Sequence, residues 1–132
     1  MATLNLTEAI TLPDDGFAGA LAARVWLPDA NGPALAAVRE DGVFDISAAF
    51  ATMRDLCESP SPAEALRAAD GPRIGALKDI LGHTPRDSRT TGAPRLLAPI
   101  DLQAIKAAGV TFAISMLERV IEERARGDLT AA

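Results

Sequence analysis

Leu21-Ala22-Ala23-Arg24-Val25-Trp26-Leu27 is followed by Pro28-Asp29-Ala30-Asn31-Gly32, then by Pro33 to Arg39, Glu40-Asp41-Gly42 and Val43-Phe44-Asp45-Ile46. Three short runs rich in apolar residues are separated by two clusters of turn residues. Asp-Gly between apolar runs is a hairpin signal, because Gly tolerates positive φ and Asp tolerates it better than most residues. The spacing predicts strands over Leu21–Leu27, Pro33–Arg39 and Val43–Ile46, joined as a β-meander. Met1 to Gly16 reads as a lead-in that closes on the turn Pro13-Asp14-Asp15-Gly16.

Helices are expected after the meander. Asp45 or Ser47 is positioned to cap one over Ala48–Cys57. Ser61, Pro62 and Glu64 form a capping-box pattern that opens another, reaching about Ala69. Ile74, Leu77, Ile80 and Leu81 predict a short third helix over Ile74–Leu81. Gly82 to Pro94 is polar and reads as a surface loop. Near the C-terminus, Ile114, Leu117, Val120 and Ile121 make one apolar stripe of a helix over Ala113–Arg126, ended by Gly127. Local propensity over Asp101–Ala108 favours a helix.

The totals bound the function. The 132 residues suit one domain, or one domain with an extension. Apolar residues make up 48%, enough for a globular core, but much of that is Ala and only 4% is aromatic. Such a core is thin, which suggests that some apolar surface belongs against another body. Net charge is −5, and an acidic chain argues against nucleic acid as partner. The single Cys57 excludes an internal disulfide and reads as a packed, inert thiol. The first basic residue is Arg24, which leaves no positive n-region of a secretory signal. Ala107 to Leu117 is the longest uncharged apolar run and is too short to span a bilayer. A cytoplasmic protein without membrane contact is expected.

Few residues offer chemistry by themselves. His83 is the only His and sits in a polar loop, where a solvated side chain is the plain reading. Asp14-Asp15 and Glu122-Glu123 are neighbours along the chain, do not share a face, and read as solvated charge. No zinc pattern, nucleophile elbow, phosphate loop or dinucleotide fingerprint occurs. Ser115 and Glu118 differ, because i and i+3 project from one side of a helix start. The plain reading has Ser115 satisfying a first-turn backbone group and Glu118 favouring the positive helix end.

Ala108-Gly109-Val110-Thr111-Phe112-Ala113-Ile114-Ser115-Met116-Leu117-Glu118 resembles the strand-to-helix entrance of the fumarylacetoacetate hydrolase family, where the pattern reads Gly-x-Asn-Tyr-x-x-His-x-x-Glu. Thr111 and Phe112 stand at the Asn and Tyr positions, and Ser115 and Glu118 at the His and Glu positions. Arg24-Val25-Trp26, Gly32-Pro33, Val43-Phe44-Asp45-Ile46, Thr52-Met53-Arg54-Asp55-Leu56 and Leu96-Leu97-Ala98-Pro99-Ile100-Asp101 are similar, in order, to the N-terminal segment of a branch that dehydrates 2-keto-3-deoxy sugar acids such as the xylonate and arabonate forms.

The resemblance implies an α+β chain. A β-meander domain with short helices and a linker loop would occupy residues 1–94. The first strand, through Ile105 to Thr111, and first helix of a mainly β catalytic domain would occupy 95–132, the remainder lying outside this chain. It implies Glu118 and Ser115 as catalytic residues and Thr111 and Phe112 as substrate-binding residues. A divalent ion, Mg²⁺, would be held by residues outside this chain and stabilise an enolate of a 2-oxo acid substrate. A homo-oligomer is implied for the whole enzyme, and the 132 residues alone would be inactive. Ser in place of His argues against hydrolysis, because a hydroxyl is too weakly basic to activate water near neutral pH. The competing readings are a hydrolase or decarboxylase of the same family, and a non-catalytic binding module complete at this length.

Overall fold

The meander forms the middle of a five-stranded antiparallel sheet. The computed structural model describes residues 4–107 and 112–125. The strands are β1 (Leu21–Leu27), β2 (Gly32–Arg39), β3 (Gly42–Asp45), β4 (Arg73–Gly75) and β5 (Arg95–Leu96), in the order β4-β3-β2-β1-β5. β1 pairs along its whole length with β2, from Leu21 opposite Val38 to Leu27 opposite Gly32. Asn31 takes the left-handed conformation at φ 47° in the first turn, and its N–H donates to the Pro28 carbonyl. The second turn is Glu40-Asp41, with Gly42 at φ 145°. Gly is required there, because a Cβ would also run into the Arg73 side chain on β4.

Alternation along the strands divides the apolar residues between two faces. Val25, Ala34, Ala36, Val38 and Val43 point to one side, where they bury Leu77, Ile80 and Leu81 of a helix over Leu77–Gly82. Leu6, Leu12 and Phe17 of the N-terminal segment, which carries a short helix over Glu8–Thr11, add to that cluster. Leu35, Ala37 and Ile46 point to the other side. There they meet Met53 and Leu56 from a helix over Met53–Cys57, and Leu66 from one over Pro62–Ala68. We number these helices α1 (Glu8–Thr11), α2 (Met53–Cys57), α3 (Pro62–Ala68), α4 (Leu77–Gly82) and α5 (Ala113–Ala125). The many Ala residues of β2 are thus core positions, and their small side chains let elements on both faces lie close to the sheet. The α+β class is as expected, with helices on both sheet faces. Among the described residues no helix is long and apolar enough to cross a membrane.

Several elements differ from expectation. The lead-in contains α1. α2 begins at Met53, because Ala49 and Phe50 N–H groups are already used in a turn on the Ile46 carbonyl. Asp45 and Ser47 shape that turn: the Ser47 N–H donates to Asp45 Oδ1, and the Leu35 N–H donates to Ser47 Oγ. Ser61 makes no side-chain cap bond, although α3 does start at Pro62. Arg73–Gly75 is an edge strand opposite Val43 and Phe44, so the expected helix over Ile74–Leu81 begins only at Leu77. Gly71 allows this return, since a Cβ would overlap the Asp45 carbonyl oxygen. The polar loop holds one 3₁₀ turn, Arg86–Ser88, and β5 follows it. Cys57, the last residue of α2, is exposed rather than packed.

Candidate functional site

The implied site lies at the start of α5. The helix begins at Ala113, one residue past Phe112, so Ser115 sits in its first turn and Glu118 one turn later. Phe112 is 76% exposed, Glu118 is exposed and Ser115 is half-buried. Thr111, with the preceding Ala108, Gly109 and Val110, lies outside the described residues. Residues 101–107 form neither strand nor helix, so the expected strand is absent over Ile105–Ala107 and its last residues fall outside the described ones. The reason is visible at Ile105, which is 77% exposed and has no sheet edge beside it. The expected stripe on α5 is present as a helical face but uncovered: Ile114 is 73% exposed, and Leu117, Val120 and Ile121 are also exposed. The end expected at Arg126 and Gly127 lies outside the described residues.

The metal expectation can be set against the donors. Among the described residues no three His, Cys, Asp or Glu side chains come together in a way that would hold an ion. These residues therefore do not fit a resident divalent cation by themselves. His83 keeps to its loop, with Nδ1 3.4 Å from Thr90 Oγ1.

A second constellation joins three of the segments that the resemblance matched, though no sequence pattern pointed to their pairing. Arg24, on β1, reaches the segment that follows β5. Its backbone carbonyl accepts from the Leu97 N–H at 2.8 Å. Its Nη1 donates to the carbonyls of Ala98 at 3.0 Å and Ile100 at 2.8 Å. Its Nε lies 3.3 Å from Asp101 Oδ2, with the two side chains 19% and 11% exposed. Asp101 Oδ2 accepts from the Met53 N–H at 2.8 Å, and Oδ1 from the Arg54 N–H at 3.1 Å.

Those two amides belong to the first turn of α2. Thr52 and Asp55 close a capping box on the other two: Asp55 N–H donates to Thr52 Oγ1, and Thr52 N–H donates to Asp55 Oδ2. All four orphan donors of that helix start thus have partners. Partial burial pushes the Asp101 carboxyl up, but the N–H groups of Leu102, Met53 and Arg54, together with the Arg24 charge, outweigh it. They hold the group below the usual carboxylate range. A concavity of about 210 Å³ lies beside this pair, walled by Leu35, Thr52, Met53 and Leu102.

No family model matches this chain, and no curated protein or solved structure matches it.

Proposed function

We propose that this chain is the N-terminal part of a fumarylacetoacetate hydrolase-family enzyme that dehydrates a 2-keto-3-deoxy sugar acid. The observation that carries the reading is the start of α5. Gly109-Val110-Thr111-Phe112 leads into a helix whose first two turns bear Ser115 and Glu118 one turn apart, on the half-buried and exposed positions described above. The uncovered stripe behind them supports a helix meant to lie against a larger body, which is where the ion's ligands would also be found.

Dehydration breaks a C3–H bond and the C4–O bond and forms a C3–C4 double bond, with water leaving. Glu118 accepts the C3 proton at a carboxylate oxygen, or holds the water that does. Ser115 donates a hydrogen bond to the departing C4 hydroxyl. Neither role asks a hydroxyl to act as a base. In this reading Phe112 and Thr111 are the substrate-binding residues. A divalent ion held by ligands outside this chain would supply Lewis acidity at the 2-oxo acid end of the substrate.

The test uses the protein made from its native coding region, with Mg²⁺. 2-Keto-3-deoxy-pentonates, acylpyruvates and oxaloacetate are compared as substrates. Turnover of the first class alone is expected, and Glu118→Gln should lower kcat by about 10²-fold or more with folding intact. Full turnover by that variant would remove Glu118 from the chemistry. Preference for acylpyruvates or oxaloacetate would instead support the hydrolase or decarboxylase reading.

A further inference from the structure

The sheet unit does not need the segment after β5 to complete its core. Both buried clusters are closed by residues up to Leu96, and no described residue from Leu97 onward belongs to either. β5 itself is only two residues, opposite Val25 and Trp26. Yet residues 97–101 are tied down more thoroughly than many core loops. One Arg satisfies two of their carbonyls and accepts from Leu97, and one Asp at their end satisfies two amides of a helix 47 and 48 residues earlier. Bringing a guanidinium and a carboxylate out of water costs free energy that a small domain avoids unless the geometry repays it. Here the repayment is a charge pair in which Arg24 Nη1 donates to two carbonyls, both Asp101 oxygens accept from amides, and the α2 start is satisfied. What it defines is a place: the point at which the chain leaves the sheet.

We infer that Arg24 and Asp101 are positioning residues, a latch that fixes the exit of the chain and thereby the placement of the segment bearing Ser115 and Glu118. The link to turnover rests on the function proposed above, while the latch itself rests on the geometry. Beyond Asp101 the described contacts to the sheet unit fade. Leu102, Ile105 and Phe112 are all exposed, so among the described residues Asp101 is the last firm anchor before α5. Without it the Met53 and Arg54 amides lose their tie to residue 101, and only the Leu97 N–H and the Ala98 and Ile100 carbonyls still hold the exit segment to Arg24. A catalytic group held less exactly loses rate without losing substrate affinity, because small misplacements cost orientation in the transition state.

The experiment uses the whole protein from its native coding region. Amide exchange and steady-state kinetics are measured for the parent, Asp101→Ala, Asp101→Asn and Arg24→Lys. In Asp101→Ala, exchange at Met53, Arg54 and Leu102, whose N–H groups the carboxylate accepts from, should rise about tenfold or more, with Leu35 to Val38 still protected. Its kcat should fall about tenfold with KM within twofold. Asp101→Asn and Arg24→Lys, which keep part of the bonding, should fall between, and they serve if the Ala variant fails to fold. Unchanged exchange at Met53, Arg54 and Leu102 would overturn the latch. Raised exchange with unchanged kcat would overturn the positioning role. If the parent turns over none of the three substrate classes, the proposed function fails, and exchange alone still decides the latch.

Discussion

Strand β2, apolar at every position from Pro33 to Val38, and helix α5, with its apolar stripe, end in opposite surroundings. β2 is central in the sheet, and Leu35, Ala36 and Ala37 are buried among side chains from both faces. α5 has a stripe at helical spacing, but Ile114, Met116 and Leu117 remain more than half exposed. The difference teaches that periodicity specifies an element, whereas burial depends on which other elements the chain brings to it. β2 gains β1 and β3 from its own hairpins and α2, α3 and α4 from the crossovers. α5 follows a stretch with no sheet edge to join.

The sharpest way to break this contrast is one substitution placed in each region of the 132-residue chain. Leu35→Ala removes a side chain 1% exposed and should cost about 2–5 kcal/mol in urea unfolding, from lost transfer energy plus the cavity left behind. Leu117→Ala should change the same midpoint by less than about 0.5 kcal/mol, since its side chain already faces water. Equal costs would mean that α5 is covered in solution, and a concentration-dependent midpoint would identify a second copy as the cover.

The same contrast explains how far the sequence could be read. Asp41-Gly42 and Asn31-Gly32 announced the two hairpins, because turn chemistry is local. Pro62 marked the start of α3 and Ala113 the start of α5 for the same reason. β4 was misread as a helix because Ile74, Leu77, Ile80 and Leu81 fit a helical face. What makes Arg73–Gly75 a strand is pairing with Val43 and Phe44, about thirty residues earlier. The Thr52–Asp55 box was as legible as the Ser61 one and has the same spacing, yet only the former closes its side-chain bonds. Asp101 closed a segment that the resemblance matched, but nothing local marked its role, since a carboxylate that caps a helix almost fifty residues away leaves no pattern of that pairing around itself. Of the implied site, Ser115 and Glu118 were legible as a spaced pair on a helix. Whatever covers their helix was not, because coverage is a tertiary property.

Asp101 lies between the two regions, and its removal gives the next largest effect. Asp101→Ala strips partners from two amides and from the Arg24 guanidinium, and should cost about 1.5–3 kcal/mol, the range for hydrogen bonds to a charged group. The pH dependence fixes the mechanism. The folded-state pKa is lowered, so the contribution is full above the ordinary carboxylate value, about 4, and is lost as pH falls through the folded value. The stability gap between parent and variant should therefore stay constant from pH 7 to about 5 and shrink only in more acidic solution. A gap that closes between pH 7 and 5 would show that the carboxylate is not held by these partners. Arg54 makes a contrasting pair. Its hydrogen bond and charge attraction to Glu58 raise its pKa, yet both side chains are about half exposed, and such surface pairs contribute little to stability.

The smallest effect separates a helix start that uses its local signal from one that does not. Thr52→Ala removes the Oγ1 acceptor of the Asp55 N–H and should cost about 1 kcal/mol, the usual worth of a satisfied cap. Ser61→Ala removes a hydroxyl that makes no cap bond, and its midpoint should stay within about 0.5 kcal/mol of the parent. Ser61 sits at ψ 74°, outside the extended region that Thr52 occupies at ψ 159°. Its backbone therefore does not aim the side chain at the third amide, and Pro62 has already removed one donor that a cap would serve. A cost for Ser61→Ala equal to that of Thr52→Ala would mean that the serine rotates into the cap in solution. Local pattern would then decide helix starts on this sheet face as fully as it decides the start of α5.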